Sequence, residues 1–234
     1  MIIKIDLREY FFKNQMELIK LSKSGNYNEV HQLLQNDSDP NIQNVDGKTA
    51  IYWASYYNYK DIVELLLQNG ADPNIQDIDG ETAIYWASYC GHKDIVELLL
   101  QNDANPNIQN EDGETAIYRA SYCGHHKDIV ELLLQNGADP NIQDNYGRTA
   151  IYMTSLNNHI EIVVLLLNNG ADPNIQDKYG ETAIHPASSY NYKEIVELLL
   201  QNSADPNIQG ECGRTAIYMT SLNNHIEIVV LLLN

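Results

Sequence analysis

Residues 47–76 read GKTAIYWASYYNYKDIVELLLQNGADPNIQ, and variants of this stretch fill the chain. The string PNIQ begins at Pro40, Pro73, Pro106, Pro140, Pro173 and Pro206, at steps of 33, 33, 34, 33 and 33 residues. A Gly-x-Thr-Ala-Ile block keeps the same step from Gly47 to Gly213. A fixed period of this size denotes one supersecondary unit stacked on copies of itself. Inside the unit, Gly47 marks a turn that needs a permissive backbone, and Thr49 can cap a helix. Ala50, Ile51 and Ala54 then fall at helical spacing. Asn58 breaks that helix, and its equivalents are Gly25, Gly91, Gly124, Asn158, Asn191 and Asn224, all tolerant of a left-handed C-cap. A second helix is predicted from Lys60 to about Asn69, ended by Gly70. Asp72-Pro73-Asn74 opens an extended connection, and the stretch to Glu81 reads as a hairpin-like loop. The unit is helix, turn, helix, loop. Two short helices cannot bury their apolar faces alone, so neighbouring units must supply the missing contacts. The expected fold is an all-α repeat solenoid, and a stack of this kind builds a surface for binding rather than catalysis.

The unit closely resembles the ankyrin repeat. Gly80, Thr82, Ile84, Ala87, Gly91, His92, Ile95, Val96, Leu98, Leu99, Leu100 and Asn107 match its pattern, as do the Gly-Ala-Asp triplets at Gly70, Gly137 and Gly170. The resemblance covers about residues 14 to 234 and implies stacked helix-turn-helix-loop repeats. Two columns depart from the pattern. Ala50, Ala83, Ala116, Ala150, Ala183 and Ala216 replace its proline. Tyr52, Tyr85, Tyr118, Tyr152 and Tyr218 replace its histidine, which only His185 keeps. That histidine joins a hydrogen-bond network with threonine in the family. A tyrosine hydroxyl substitutes for it at a different reach.

About seven units are expected. Residues 1–13 form an N-terminal extension, and 14–44 a degenerate, more polar first unit that acts as a cap. Units follow at 45–77, 78–110, 111–144, 145–177 and 178–210, and a truncated last one at 211–234. Residues 213–234 repeat 147–168 without a change, so the last unit has no polar cap and its outer face should be apolar and exposed. A truncated gene explains this most simply; self-association through the uncapped unit is the sharper reading. In either case the chain can be a fragment of a larger adaptor or host-directed effector.

Net charge is −18, with 32 Asp and Glu against 14 Lys and Arg. Phosphate backbones repel such a surface, and no basic cluster appears, so nucleic acid and anionic membranes are excluded as partners. The charge serves solubility, or steers a partner protein with a basic surface. No run of about 18 apolar residues is present. Lys4, Asp6 and Arg8 interrupt the apolar start, unlike a signal peptide. Cys90 and Cys123 stand at equivalent points of neighbouring units. Helices packed roughly 8–10 Å apart hold them beyond the reach of a disulfide. A reducing, cytoplasmic compartment fits, in the producing cell or in a host.

No nucleophile–base set, zinc-protease helix or phosphate loop occurs, so no enzyme and no cofactor is expected. The 111–144 unit is longer by one residue at His125-His126. Adjacent side chains diverge, and the other turn histidines lie a whole repeat away, so this is a turn rather than a metal site. Recurring acids such as Asp94 and Glu97 read as a solvated helix face.

In ankyrin proteins, loop tips and first helices line a concave face whose variable positions choose the partner. Those positions here hold Tyr56, Tyr57, Asp79, Glu81, Tyr89, Asp112, Glu114, Tyr122, Tyr146, Arg148, Lys178, Tyr179 and Tyr190, our candidate partner-binding residues. Tyrosine offers a large contact area with a polar tip and few rotamers to freeze, which suits interfaces. Each tyrosine alone is equally compatible with helix packing; as a set they favour binding. Trp53, Trp86, Arg119, Met153, Pro186 and Met219 form a second column that reads as core. Arg119 should snorkel from it toward water or an acid, and Pro186 should weaken its helix.

Overall fold

A computed structural model describes residues 7–124 and 126–233, and among them are fourteen α-helices and no strand. The chain divides into two compact parts, Met1–Glu111 and Asp112–Asn234. The N-terminal part holds α1 (Leu7–Ser24), α2 (Tyr27–Gln35), α3 (Ala50–Tyr56), α4 (Lys60–Gln68), α5 (Ala83–Cys90) and α6 (Lys93–Gln101). The C-terminal part holds α7 (Ala116–Cys123), α8 (Lys127–Gln135), α9 (Ala150–Leu156), α10 (Ile160–Asn168), α11 (Ile184–Ser189), α12 (Lys193–Gln201), α13 (Ala216–Leu222) and α14 (Ile226–Leu232). Each odd helix pairs with the even one after it, giving about seven repeats. His125 lies outside the described residues; of the longer turn only His126, at the start of α8, is described.

In the N-terminal part α1, α3 and α5 pack in one row and α2, α4 and α6 in another. In the C-terminal part α7, α9, α11 and α13 form one row, and α8, α10, α12 and α14 the other. The second helices sit between neighbours, which is why they are apolar around much of their surface. In α4, Ile62, Val63, Leu65 and Leu66 are all buried. A buried leucine or isoleucine stabilises by about 1.5–3 kcal/mol, and that gain needs the adjoining repeat.

Local chemistry sets the helix ends. The Thr49 hydroxyl accepts from Tyr52 N at 3.2 Å, and Thr82, Thr115 and Thr149 cap α5, α7 and α9 in the same way. The turn between helices needs a positive φ, supplied by asparagine at Asn58 (65°) and Asn158 (61°) and by glycine at Gly91 (80°). α4 ends in a Schellman arrangement, with Ala71 N donating to Leu66 O and Gly70 N to Leu67 O, both at 3.0 Å.

The PNIQ string stitches repeats together. Asn41 Nδ2 donates to Gly70 O at 3.0 Å while its Oδ1 accepts from Asp72 N at 2.7 Å. Asn74 bonds Asp103 and Asn105 in the same way, Asn141 bonds Gly170 and Asp172, and Asn174 bonds Ser203 and Asp205. Gln43 Nε2 donates to Gly47 O in its own loop and to Gln76 O in the next, at 2.7 and 3.0 Å. Successive loops therefore touch closely. At Gly47 (φ +75°) a Cβ would stand 2.8 Å from Ile78 N.

Four of the tyrosines that replace the family histidine, Tyr52, Tyr85, Tyr118 and Tyr152, are buried, and each reaches forward by one repeat; Tyr218 is exposed. Tyr52 OH donates to Glu81 Oε2 at 3.4 Å, Tyr118 OH to Asp144 Oδ2 at 2.8 Å, and Tyr152 OH to Glu181 Oε2 at 3.3 Å. Tyr85 OH accepts from Asn110 Nδ2 at 3.2 Å. Burial and the adjoining carboxylates hold Tyr52, Tyr118 and Tyr152 well above the usual phenol range. His185 turns inward instead. Its Nδ1 accepts from Thr182 N at 3.0 Å and lies 3.1 Å from Thr182 Oγ1. The loop ahead of it carries Gly210 where the others carry Asp77, Asn110, Asp144 and Asp177, and Arg214, like Arg148, is no acceptor, so a tyrosine there would find none. α11 is also the shortest of the fourteen helices, at 6 residues, and Pro186 lies in its first turn, as the proline predicts.

Two measurements follow from this geometry. Tyr118→Phe removes a hydrogen bond to a buried carboxylate and should lower the free energy of urea unfolding by about 1–2 kcal/mol. Tyr218→Phe, at a side chain 47% exposed, should change it by less than about 0.5 kcal/mol. Gly47→Ala combines a left-handed backbone with a close approach and should cost about 2 kcal/mol or more. Gly70→Ala has an equally positive φ (+84°) but meets nothing within 4 Å, and should cost about 1 kcal/mol. Equal losses at the two glycines would show that loop contact between repeats is not the tighter constraint.

Candidate functional site

Most of the arc of α3 is committed to the core, through Ala50, Ile51, Tyr52, Ala54 and Ser55. Trp53 and Tyr56 remain on the open arc, with Tyr57 at the C-cap. α5 repeats the arrangement with Trp86 and Tyr89. These five rings meet. Trp53 stacks on Tyr57 with centroids 5.9 Å apart and packs edge-on to Tyr56 at 6.0 Å. Tyr56 lies 4.9 Å from Tyr57 and 5.0 Å from Trp86, which packs against Tyr89 at 5.5 Å. The result is a continuous aromatic platform spanning two repeats of the N-terminal part. Tyr57 is 41% exposed, and the other four rings are half-buried.

The loops border this platform with charge. Glu81 Oε2 accepts from Trp86 Nε1 at 2.8 Å as well as from Tyr52 OH. Burial raises the Glu81 carboxyl above its ordinary pKa, against the opposing effect of the Trp86 bond. Asp77 Oδ2 has no hydrogen-bond donor, but Lys48 Nζ lies 3.4 Å away and compensates its charge. Lys48 also donates to Tyr52 OH at 2.9 Å. Asp46 and Asp79 stand exposed at the loop tips. Carboxylate oxygens of Asp77, Asp79 and Glu81 fall within 4.8 Å of one another, the one acidic group among the described residues tight enough to consider for a metal ion. Lys48 beside Asp77 and the indole N–H on Glu81 already tie two of the three into the fold.

The candidates in the C-terminal part form smaller groups. Arg119 reaches Glu114 at 3.6 Å and lies 5.7 Å from the Tyr122 ring, the snorkelling expected of it. Asp112 at the loop tip is exposed, and its carbonyl accepts from Asn145 N at 2.8 Å. Arg148 forks onto Asp144 Oδ2 through Nε at 2.8 Å and Nη2 at 2.6 Å, and lies 4.7 Å from the Tyr146 ring. Lys178 Nζ sits 3.7 Å over Tyr146 and 5.0 Å from Tyr179. Tyr146, Arg148, Lys178 and Tyr179 thus make one cluster at adjacent loop tips. Tyr190 caps α11 and stacks on Tyr192 at 5.9 Å, in the turn between helices.

The second column separates by position. Met153 and Pro186 are buried, as read from the sequence. Trp53 and Trp86 are not core; they are half-buried members of the platform. Their size and apolarity argued for burial. The informative signal was the spacing of Trp53 from Tyr56 and Tyr57, three and four residues on, which places all three on one helical face.

The model of ankyrin repeats, as three-copy blocks, matches residues 18–110, 72–144, 102–177 and 155–234. Among solved structures, the crystal structure of the ankyrin repeat domain of Bcl-3, described as a unique member of the IkappaB protein family, superposes with a TM-score of 0.81. It is 28% identical, and the alignment covers 91% of this chain and 97% of that one. A comparison with curated protein sequences returns no significant match. No helix among the described residues is long and apolar enough to cross a membrane. From residue 18 to its last residue, this chain belongs to the ankyrin repeat family, whose domains are generally protein-binding modules and typically non-catalytic.

Proposed function

We propose that the chain is a non-catalytic module that binds a partner protein through its loop tips and first helices, in a reducing, cytoplasmic setting. The observation that carries this reading is the aromatic platform of Trp53, Tyr56, Tyr57, Trp86 and Tyr89. Packing inside the repeat does not require five aromatic rings on the open arc, since buried Ala50, Ala54, Ala83 and Ala87 close the core beneath them. Tryptophan and tyrosine are the side chains that most often dominate binding energy, because they bury much area with few torsions to freeze. The Tyr146, Arg148, Lys178 and Tyr179 cluster offers a second contact of the same kind, with Asp112, Glu114, Tyr122 and Tyr190 around the C-terminal part's own row.

Affinity capture with mass spectrometry tests this. The wild-type chain should retain a specific protein that Tyr57→Ala and Tyr122→Ala each release at least severalfold. Both side chains are exposed, so the thermal midpoints should stay within a few degrees. Retention of every captured protein by both variants would count against the proposal.

A further inference from the structure

We infer that the platform of the N-terminal part receives a partner segment bearing arginine or lysine side chains; this rests on the binding-module reading above and names the chemistry of its partner. Three observations converge. The first is an internal stand-in. Lys23 Nζ lies 3.9 Å from the centroid of the Trp53 ring, and no carboxylate among the described residues lies within salt-bridge distance of it. In a chain with 32 acidic residues, this ammonium rests on an indole face rather than on an acid. Lys48 Nζ approaches the same ring at 5.4 Å and Tyr52 at 4.7 Å. The platform is therefore shaped and polarised to accept cations, since aromatic faces attract them through their quadrupole.

The second observation is the charge of the rim. Asp46 and Asp79 project from consecutive loop tips, and neither carboxylate has a side-chain hydrogen bond or ion pair among the described residues. Lys48 is committed to Asp77 and Tyr52, so it does not neutralise them. Glu81, between the rim and Trp86, is half-buried and raised in pKa by desolvation. A cation brought next to it would restore the charge stabilisation that burial removes. The third is the net charge of −18, which attracts a basic segment at long range and repels an acidic one. A guanidinium suits the site best, because it stacks on a ring while its N–H fork reaches a carboxylate.

The chain carries a built-in reporter, because its two tryptophans are Trp53 and Trp86. The full chain is titrated with a peptide of four arginines separated by Gly-Ser pairs, and with the same peptide carrying neutral citrulline, while tryptophan fluorescence is followed. The arginine peptide should change the fluorescence saturably and bind roughly tenfold more weakly at about 200 mM than at about 50 mM salt. The citrulline peptide should bind at least about tenfold more weakly than the arginine peptide. Asp46→Asn with Asp79→Asn should weaken the arginine peptide by roughly tenfold. Lys23→Ala, which vacates the Trp53 face, should strengthen it by about threefold. All these side chains are exposed, so unchanged thermal midpoints exclude unfolding as the cause. Equal binding of the two peptides, wild-type affinity in the double variant, or no gain in Lys23→Ala overturns the inference. If those results come with a captured protein still released by Tyr57→Ala, only the partner's chemistry is wrong. Capture indifferent to Tyr57→Ala overturns the binding-module reading itself.

Discussion

Within each compact part, the polar side chains of one repeat are completed by the repeat that follows. Asn41, Gln43 and Tyr52 belong to neighbouring segments of sequence, yet their partners Gly70, Asp72, Gln76 and Glu81 all lie about one period further on. The apolar contacts obey the same rule, since the second helices bury more than one face only between neighbours. Hydrogen bonds of this kind add little net stability one by one, about 1 kcal/mol each. Their larger effect is on register. An Asn that both donates to a carbonyl and accepts from an amide of the next loop fixes its position in two directions, so repeats stack in one alignment. Slippage would part the hydroxyl of buried Tyr52 from Glu81 and forfeit the loop bonds of Asn41 and Gln43 with it.

The duplicated block gives an internal control. Residues 147–168 and 213–234 share one sequence, so any difference between them comes from surroundings. Tyr152 is 8% exposed with its hydroxyl on Glu181, whereas Tyr218 is 47% exposed. Thr149 caps its helix through its side chain, whereas Thr215 makes no such bond. Leu222, Ile226 and Leu233 are exposed where Leu156, Ile160 and Leu167 are half-buried, while Ile228, like Ile162, is buried. The helices form in both copies, with or without the threonine cap, on packing against the preceding repeat. The neighbour determines burial and side-chain bonding.

This division explains what was readable from the sequence. In the repeat at 47–76 helix ends were legible to within a residue, because Thr49, Asn58 and Gly70 act through chemistry confined to a few neighbouring positions, whereas α1 runs from Leu7 across the expected boundary at 13/14. The repeat count followed from the period. The roles of Asn41 and Gln43 were not legible, although both recur, because a recurring polar residue in a loop looks the same whether it faces water or the next repeat. The tyrosine column is visible as a departure from the family pattern, but its acceptors are not: the hydroxyl can end at either of two loop positions, Asp144 for Tyr118 and Glu181 for Tyr152. For the candidate site, the sequence points to Tyr56, Tyr57 and Tyr89 as binding residues but to Trp53 and Trp86 as core. The small residues decide that case. Ala50, Ala54 and Ser55 fill the buried arc of α3, and once the narrow positions are assigned inward the indole has only the open arc left.

Stack and proposed binding face meet at Glu81. One oxygen takes the Tyr52 hydroxyl from the preceding repeat and the Trp86 indole from its own, so the carboxylate that joins two repeats also orients a ring of the platform. A side chain held this way loses little freedom when a partner arrives, and association is correspondingly less costly in entropy. The same linkage makes Glu81 a poor place to separate folding from binding, since its loss would loosen the tyrosine bridge and the tryptophan together. Tyr57, Asp46 and Asp79 lie outside that linkage, at the exposed end of each contact. Variation at such positions can change what the surface recognises while leaving the hydrogen bonds that hold the repeats in register intact. On the proposed reading, a repeat protein of this design keeps its core columns constant while its partner changes, because alignment and recognition would fall to different residues of the same repeats.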